Sequence, residues 1–464
     1  IKSSAASDVY KIQGYVMIQK QLKTHMKLSN LQIVALGYML VILLGTLLLL
    51  LPISTQAGKD TSVLDALFTA VSASCVTGLV VVDTGTHWTL FGQLVVLLLI
   101  QIGGLGFMTI SLSFLLLLRK RIGLRHREVM VESINSTQIG GIVRLTRKIL
   151  LGTAIFEGLG ALLLAIRFVP QFGLAQGLYF SVFHAISAFC NAGFDLFGNF
   201  ASIVAYADDP LVNFTLMGLI TVGGLGFLVW EDVWVNRNKL HRLRLQSKIV
   251  LSTSILLTLG GALLLLLLER NNLNVTMDTS ERILTALFQS CTARTAGFNS
   301  VDPAAMTGGS KLLMMLLMFI GGSPGSTAGG IKTTTIVVIL MYTLAGVRHE
   351  RGANLFGRRF DDGALHKAIY VFFVNLLFVI FGSIAICCVQ PELGLTDVLF
   401  ETFSAMGTVG ITTGITRELN IVSECVLIFL MYCGRVGSIS FAVALLERKA
   451  TPPVTMPVER ITIG

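Results

Sequence analysis

Apolar positions along this chain fall into runs of two lengths. Eight runs are long enough to cross a membrane, namely Leu31–Leu51, Leu90–Leu118, Leu150–Ile166, Leu211–Trp230, Ile249–Leu268, Leu312–Val347, Ile369–Gln390 and Ile421–Leu446, because about 20 apolar residues span the roughly 30 Å hydrocarbon core of a bilayer. Four shorter runs, near Thr61–Ser74, Gly177–Phe189, Glu281–Ala293 and Thr396–Met406, lie between alternate pairs of long ones. At about 1.5 Å per helical residue these reach about 20 Å, enough to enter the bilayer and too little to cross it. The pattern predicts an all-α integral membrane fold with eight spanning helices and four half-helices.

The order long, short, long occurs four times, and the copies align without gaps from the short segment onward. The four lines read Phe68-TAVSASCVT-Gly78, Phe183-HAISAFCNA-Gly193, Leu287-FQSCTARTA-Gly297 and Phe400-ETFSAMGTV-Gly410. Each places an apolar anchor ten residues before a glycine, and the glycines stand 115, 104 and 113 residues apart. A second glycine-rich element follows each by 24 to 30 residues: Gly103-Gly104-Leu105-Gly106, Gly223-Gly224-Leu225-Gly226, Gly321-Gly322, and Gly434 with Gly437. The organisation this predicts is an N-terminal segment 1–30, repeats at 31–118, 149–235, 249–347 and 366–446, and a tail at 447–464; the third repeat has an interrupted second helix.

Composition agrees with a membrane chain. Of 464 residues 53% are hydrophobic and only 13% charged, the latter about half the usual fraction of a soluble domain, which excludes a water-soluble fold. The net charge of +9 matters through its distribution, since 26 of the 35 Lys and Arg fall in segments 1–30, 119–148, 236–248, 348–367 and 447–464. The segments facing the other way hold Lys59, Arg270, Arg282, Arg294, Lys311 and Arg417. Basic loops mark the cytoplasmic side, so both termini are expected there, with the basic loops serving topology and contact with anionic membrane lipid rather than nucleic acid. The seven Cys show no C-x-x-C spacing, which supports neither a disulfide framework nor a zinc site. No cleavable signal is expected, because the first apolar run begins only at Leu31 and is too long for a signal core.

Non-helical backbone at membrane depth is tolerated only where it is buried in protein or lines water. A half-helix ending in a glycine loop, four times over, therefore reads as the lining of a cavity. There the loop carbonyls can replace the hydration shell of a cation, with glycine permitting the φ angles that aim them. The alternative, a plain turn between re-entrant segments, accounts for one such loop more easily than for four. The run GGSPGSTAGGIK at 321–332 holds five Gly, two Ser and a Pro inside an expected spanning helix and should break it; a kink at a helix crossing is the simpler alternative. The corresponding GGLGF segments at 103–107 and 223–227 are expected to let helices approach closely. Arg435 lies mid-helix, where a charge costs at least about 2.5 kcal/mol unless it faces a polar cavity or a structural ion pair. Glu157 is expected in a buried hydrogen-bonded role and His184 in packing. Asp83 and Asp195 follow their glycines on the outer side as cation attractors or solvated loop acids. Cys75, Cys190 and Cys291 are expected at corresponding half-helix ends, packed behind the loops.

These residues resemble the pore-forming subunit of the Trk/Ktr/HKT superfamily of potassium transporters, and more closely the bacterial Ktr membrane subunit. The resemblance covers roughly residues 30–464 and rests on four filter-like segments, Val76-Thr77-Gly78, Asn191-Ala192-Gly193, Thr295-Ala296-Gly297 and Thr408-Val409-Gly410. It rests further on the run Gly321, Gly322, Ser323, Pro324, Gly325, Ser326, Thr327, Ala328, Gly329, Gly330 and Lys332, on Arg435 in Cys433-Gly434-Arg435-Val436-Gly437, and on the ending PVERITIG. Room for only one helix before the first half-helix fits the Ktr branch.

The resemblance implies four helix–pore loop–helix repeats fused in one chain like the subunits of a potassium channel tetramer. K+ would be the transported ion, held by backbone carbonyls at one well-formed site near the four glycines and moving passively. Only the fourth segment keeps the Thr-Val-Gly of tetrameric channels, which argues against a full queue of equivalent sites. Gly78 points to potassium, since a serine there is associated with sodium selectivity in plant relatives. The 321–332 run would be an intramembrane gate and Arg435 a fixed charge in the pore below the filter. The resemblance further implies a homodimer in the bacterial inner membrane and a separate cytosolic ring of regulatory subunits binding ATP or ADP. This chain itself is expected to bind no cofactor. Its basic clusters at Arg119–Arg127, Arg144–Lys148 and Arg237–Lys248 would take part in docking, with PVERITIG reaching the second protomer. An alternating-access secondary transporter is the competing reading. A membrane enzyme would need paired acids, a nucleophile with its base, or metal ligands at membrane depth, and the intramembrane ionisable residues are too few and scattered for that.

Overall fold

Polar residues with capping side chains stand directly before several of the apolar runs. Ser62 accepts the Asp65 N–H at 3.0 Å while Asp65 accepts the Ser62 N–H at 2.9 Å, a reciprocal cap that opens a helix at Val63. Thr89, Asp209, Thr307 and Asn420 each accept an N–H from the first turn that follows them. The computed structural model describes residues 30–106, 109, 141–237, 239–275, 277–350 and 352–437. Its helices run in the order α1 (Asn30–Leu49), α2 (Val63–Ser74), α3 (Leu90–Leu105), α4 (Ile142–Phe172), α5 (Leu174–Phe189), α6 (Pro210–Leu225) and α7 (Phe227–Asn236). They continue with α8 (Leu245–Leu268), α9 (Thr279–Thr292), α10 (Gly308–Phe319), α11 (Thr333–Val347), α12 (Asp362–Val389), α13 (Leu395–Gly407) and α14 (Ile421–Val436). A hairpin of β1 (Asn354–Leu355) and β2 (Arg358–Arg359) joins α11 to α12.

The short helices α2, α5, α9 and α13 occupy the places of the expected half-helices, and longer helices wall them in. α2 packs on α1 and α3, α5 on α4 and α6, α9 on α8, and α13 on α12 and α14. Neighbouring groups meet in cyclic order: α3 touches α5, α6 touches α9, α10 touches α13, and α14 returns to touch α2. Burial follows this plan. From Phe68 to Ser74, α2 is fully enclosed, whereas α1, α4, α8 and α12 expose Leu40, Leu47, Leu151, Leu162, Leu256, Leu263, Phe373 and Phe381. A belt of large apolar side chains turned outward around a polar-flecked centre is the reverse of a soluble core and suits lipid.

Several of the described helices are shorter than the apolar runs they come from. Among the described residues four helices, within α1, α4, α8 and α12, are long and apolar enough to cross a membrane; the pair α6 and α7 makes a fifth if a 96° bend is counted within one span. The cause is glycine. α3 stops at Leu105, α6 at Leu225 and α14 at Val436, and the next residue in each case is a glycine with left-handed φ, Gly106 at 81°, Gly226 at 96° and Gly437 at 94°. The GGLG elements do bring helices close, since a Cβ at Gly104 would lie 2.6 Å from Cys190 Sγ, but they also end the helix. Apolar runs read straight through such breaks because glycine does not interrupt hydrophobicity. The N-terminal segment 1–29, the cluster Arg119–Arg127 and the tail with PVERITIG lie outside the described residues.

Candidate functional site

The C-terminal ends of α2, α5, α9 and α13 converge on the four glycine-centred triplets, all twelve residues of which are buried. In each triplet the first and third residues have left-handed φ: Val76 at 57° and Gly78 at 91°, Asn191 at 57° and Gly193 at 71°, Thr295 at 76° and Gly297 at 86°, Thr408 at 50° and Gly410 at 91°. The middle residues Thr77, Ala192, Ala296 and Val409 do not. A side chain in this region costs about 1–2 kcal/mol, so four such residues at equivalent places are held there by their surroundings. Alternating handedness turns successive peptide planes so that neighbouring carbonyls line one side of the segment.

Hydrogen bonds fix which side that is. The Val76 N–H donates to Ala73 O (3.1 Å) and the Thr77 N–H to Ser72 O (2.8 Å), while the Gly78 N–H donates to Ser72 Oγ (3.0 Å). The fourth triplet repeats this with Thr408 on Ala405 O (3.1 Å), Val409 on Ser404 O (2.9 Å) and Gly410 on Ser404 Oγ (3.1 Å). In the second, the Ala192 N–H donates to Ser187 O (2.8 Å), and in the third the Ala296 N–H donates to Thr292 O (2.9 Å). With N–H groups turned back to the helices, the opposed carbonyls turn to the centre.

The triplets close on each other. A Cβ built on Gly78 would strike Ala192 O, one on Gly193 would lie 2.7 Å from Gly297 Cα, one on Gly297 2.5 Å from Val409 O, and one on Gly410 would strike Thr77 O. First meets second, second meets third, third meets fourth, and fourth meets first, so one chain builds a complete ring. The carboxyl ends of four helices, each carrying partial negative charge, are aimed at it. The hydroxyls of Thr77, Thr295 and Thr408 are buried there without a hydrogen-bond partner among the described residues. Such an arrangement offers oxygen and negative potential from every direction and suits a cation stripped of water.

Directly against the ring lies the 320–332 segment between α10 and α11. Ile320 and Ile331 pair as an isolated parallel bridge, and a Cβ on Gly329 would strike the Thr408 hydroxyl. The loop is tied to the carboxyl end of α6 through Ser323 N–H on Gly224 O (3.0 Å) and Thr327 N–H on Gly223 O (3.2 Å), and Phe227 N–H donates to Gly325 O (2.8 Å). Lys332 Nζ bonds within the loop, to Ala328 O (2.8 Å) and Gly329 O (3.2 Å). Arg435, half-buried on the last turn of α14, reaches three carbonyls: Thr327 O through Nη1, and Gly103 O and Gly104 O through Nη2, the last at 3.1 Å. It thus joins the loop to the carboxyl end of α3, whose partial negative charge favours a cation.

Other residues singled out in the sequence have different places. Asp83 caps a helical turn, accepting Thr86 N–H at 2.8 Å and Phe200 N–H at 2.7 Å. Asp195, two residues past Gly193, accepts the Phe197 N–H at 3.1 Å; burial, and then the charge of Asp83, push its carboxyl up to about 7. Glu157 accepts from Gln101 Nε2 at 3.1 and 3.3 Å and from Cys190 Sγ at 4.0 Å. Cys75 and Cys190 cap α2 and α5, but Cys291 lies inside α9, whose cap is Ala293. Arg294, expected in an outward-facing loop, is only 8% exposed and donates to Thr258 Oγ1 at 2.7 Å. It is an extra residue between helix and triplet, so the gapless alignment slips by one in the third copy. The hydroxyl equivalent to Ser72, Ser187 and Ser404 is therefore Thr292, which donates to Phe298 O at 2.7 Å just as Ser187 donates to Phe194 O at 2.8 Å. These four anchors were missed in the sequence, where a recurring Ser or Thr five or six residues before the glycine was the available signal. Among the described residues no group of three or more His, Cys, Asp or Glu is placed to hold a metal ion.

The family described as "TrkH: Cation transport protein" matches residues 15–451. The chain belongs to this family. That membership makes it a transport protein rather than an enzyme, and the apolar helices fit a multi-pass membrane protein. Among its relatives, the "Potassium/sodium uptake protein NtpJ" of Enterococcus hirae is 40% identical over 444 residues, covering 94% of this chain and 98% of that one. The "Ktr system potassium uptake protein B" of Bacillus subtilis is 42% identical over 412 residues, covering 88% and 91%. In fold the chain is similar to the crystal structure of the potassium transporter TrkH from Vibrio parahaemolyticus, with a TM-score of 0.70 at 18% identity over 91% of this chain and 86% of that one.

Proposed function

We propose that this TrkH-family chain is the pore-forming subunit of a potassium uptake system, with the four triplets as a single filter through which K+ passes down its electrochemical gradient. The observation that carries the reading is the closed ring of Gly78, Gly193, Gly297 and Gly410, in which the Gly78 and Gly410 N–H groups bond back to Ser72 and Ser404 and the Thr77, Ala192, Ala296 and Val409 N–H groups bond back to the short helices. Backbone oxygen in this arrangement replaces a hydration shell without a fixed charge that would trap the ion. The relatives named as Ktr system potassium uptake proteins agree with it, and NtpJ, named for potassium and sodium uptake, makes sodium the competitor to test.

On this reading the chain is four fused helix–pore loop–helix repeats with eight spans, some broken at glycines, and both termini are cytoplasmic. The 321–332 loop, pressed against Thr408 and latched by Arg435, is the gate. The chain works as a homodimer in the inner membrane, and a separate cytosolic ring binding ATP or ADP moves the gate. That regulatory partner is in keeping with relatives named as parts of a Ktr system. The basic residues of Arg144–Lys148 and Arg237–Lys248 are its docking surface.

Rubidium or potassium flux into liposomes holding the purified chain, with sodium as competitor, tests the proposal. Uptake driven by the potassium gradient alone and weakly inhibited by sodium is expected. A fixed coupling stoichiometry, or equal passage of sodium, overturns it. Flux of the chain with and without its cytosolic subunit, in ATP and in ADP, tests the partner; full nucleotide control in the membrane chain alone overturns that part.

A further inference from the structure

Three residues before the anchors Ser72, Ser187, Thr292 and Ser404, and so on the same face of each short helix, stand Thr69, His184, Gln289 and Glu401. All four are at most 1% exposed. Three of them reach forward to the segment that leaves the ring. His184 Nδ1 donates to Phe180 O (2.7 Å), which can only accept, and this leaves Nε2 to accept the Leu196 N–H (3.4 Å). The Gln289 side-chain oxygen, with the amide oriented to satisfy its neighbours, accepts from Ser300 N–H (3.3 Å) and Val301 N–H (3.2 Å). Glu401 accepts from the Thr412 hydroxyl through Oε1 and from the Thr416 hydroxyl through Oε2 at 3.0 Å. Those two hydroxyls lie 2.9 Å apart, and Thr412 Oγ1 also takes the Gly414 N–H at 2.8 Å. The Thr69 hydroxyl has no partner among the described residues.

We propose that Glu401, His184 and Gln289 are positioning residues of the filter, a second layer behind the anchors that pins the outer exit of three triplets to their helices and leaves the first unpinned. This rests on the triplets being the filter. The anchors hold each triplet as far as its glycine or, for Ser187 and Thr292, the residue after it, and the second layer takes hold two or more residues past the glycine. Carbonyls can discriminate between cations of one charge only if they keep their spacing against the pull of the smaller ion, and a segment held at both ends is stiffer than one held at one. Glu401 carries the strongest of the three pins. Its two oxygens accept two hydroxyls that lie 2.9 Å apart, one of which also takes the Gly414 N–H, so it fixes more of its exit segment than His184 or Gln289 does. This second layer is thus unequal by construction: it ties the fourth segment through two hydroxyls and the first not at all.

The experiment compares the wild-type chain with Glu401→Leu, Glu401→Gln, Thr412→Val and the Leu/Val double variant, all in liposomes, and reads the sodium-to-rubidium permeability ratio together with solution monodispersity. Glu401→Leu and Thr412→Val should each raise the ratio by about tenfold, equivalent to about 1.4 kcal/mol. The double variant should be no worse than the single ones, because both remove one pin, and Glu401→Gln should recover most of the discrimination. A part in folding alone would lower the yield of monodisperse protein and leave the ratio of the surviving fraction unchanged. If Glu401→Leu does not fold, Thr412→Val, which keeps the buried volume, decides the matter. Wild-type discrimination retained in the folded Thr412→Val variant overturns the proposal while leaving the filter in place. A wild-type chain that does not favour rubidium over sodium overturns the filter assignment and the proposal with it.

Discussion

Arg435 Nη2 lies 3.1 Å from the carbonyl oxygen of Gly104, and the same guanidinium donates to Thr327 in the opposite loop. The sequence left open a charge in the pore or an ion pair, and among the described residues no carboxylate pairs with it. Two of its nitrogens tie the loop to the end of α3, which excludes an ion pair among the described residues and is compatible with a charge beside the pore.

Arg435→Ala should therefore raise rubidium flux. Hydrogen bonds to a charged donor are worth about 1.5–3 kcal/mol each, so their loss shifts the loop toward release by about tenfold or more. Liposome flux checks this. Lowered stability with unchanged flux would reduce Arg435 to a structural tie.

Gly78→Ser should weaken discrimination against sodium by roughly tenfold, about 1.4 kcal/mol, because its Cβ is directed at Ala192 O across the ring. Gly58 gives a matched control: its φ of 84° is as left-handed, yet no atom lies within 4 Å of a Cβ built there. Gly58→Ser carries the same backbone strain without touching a triplet and should leave the sodium-to-potassium permeability ratio unchanged. An equal effect from both substitutions would refute the ring.

Shortening the loop within residues 321–330 should increase potassium flux with little change in selectivity. The triplets take their hydrogen bonds from the short helices behind them, and the loop takes its own mainly from Gly223, Gly224 and Arg435, with one further bond from the Thr327 hydroxyl to Phe189 O at the end of α5 (3.1 Å). A shortening that keeps Thr327 therefore leaves the hydrogen bonds of the ring in place. A shortened chain that folds and conducts less would show that the loop supports the ring after all.

The short helices were legible because hydrophobicity, capping residues and length agree on them: the run expected at Thr61–Ser74 is α2, Val63–Ser74. The triplets were legible because a glycine in left-handed conformation has no substitute at a close approach. Less legible were the features that depend on neighbours. Gly226 looks like part of an apolar run, yet it bends the chain by 96° between α6 and α7, since the Phe227 N–H finds its acceptor in the loop at Gly325 rather than one turn back. Arg294 reads as a loop cation until Thr258, 36 residues earlier on the adjoining α8, is seen to accept its hydrogen bond. The layer of Thr69, His184, Gln289 and Glu401 was hidden by that same extra residue, which sets Phe288 opposite His184 when the four lines are written one beneath another.

External pH should act through Asp195. Burial first, and the nearby Asp83 second, raise its carboxyl to about 7 from an ordinary value of 3.8, so the native chain holds a proton there between those values that the unfolded chain has released. The sign follows: stability contributed by this group is present at low pH and is lost as pH rises toward and through 7. Cation supply has the opposite slope, because the carboxylate two residues past Gly193 is charged only above that range. One charge acting through water over about 8 Å is worth about 0.5 kcal/mol, a roughly twofold change in local cation concentration. Rubidium uptake at subsaturating concentration should therefore fall about twofold as external pH drops from about 8 to about 6. In Asp195→Asn uptake should stay at the low value throughout, and the gain in thermal stability over the wild type should be larger at pH 8 than at pH 5. Uptake in Asp195→Asn that keeps the wild-type pH profile would assign the dependence to another group.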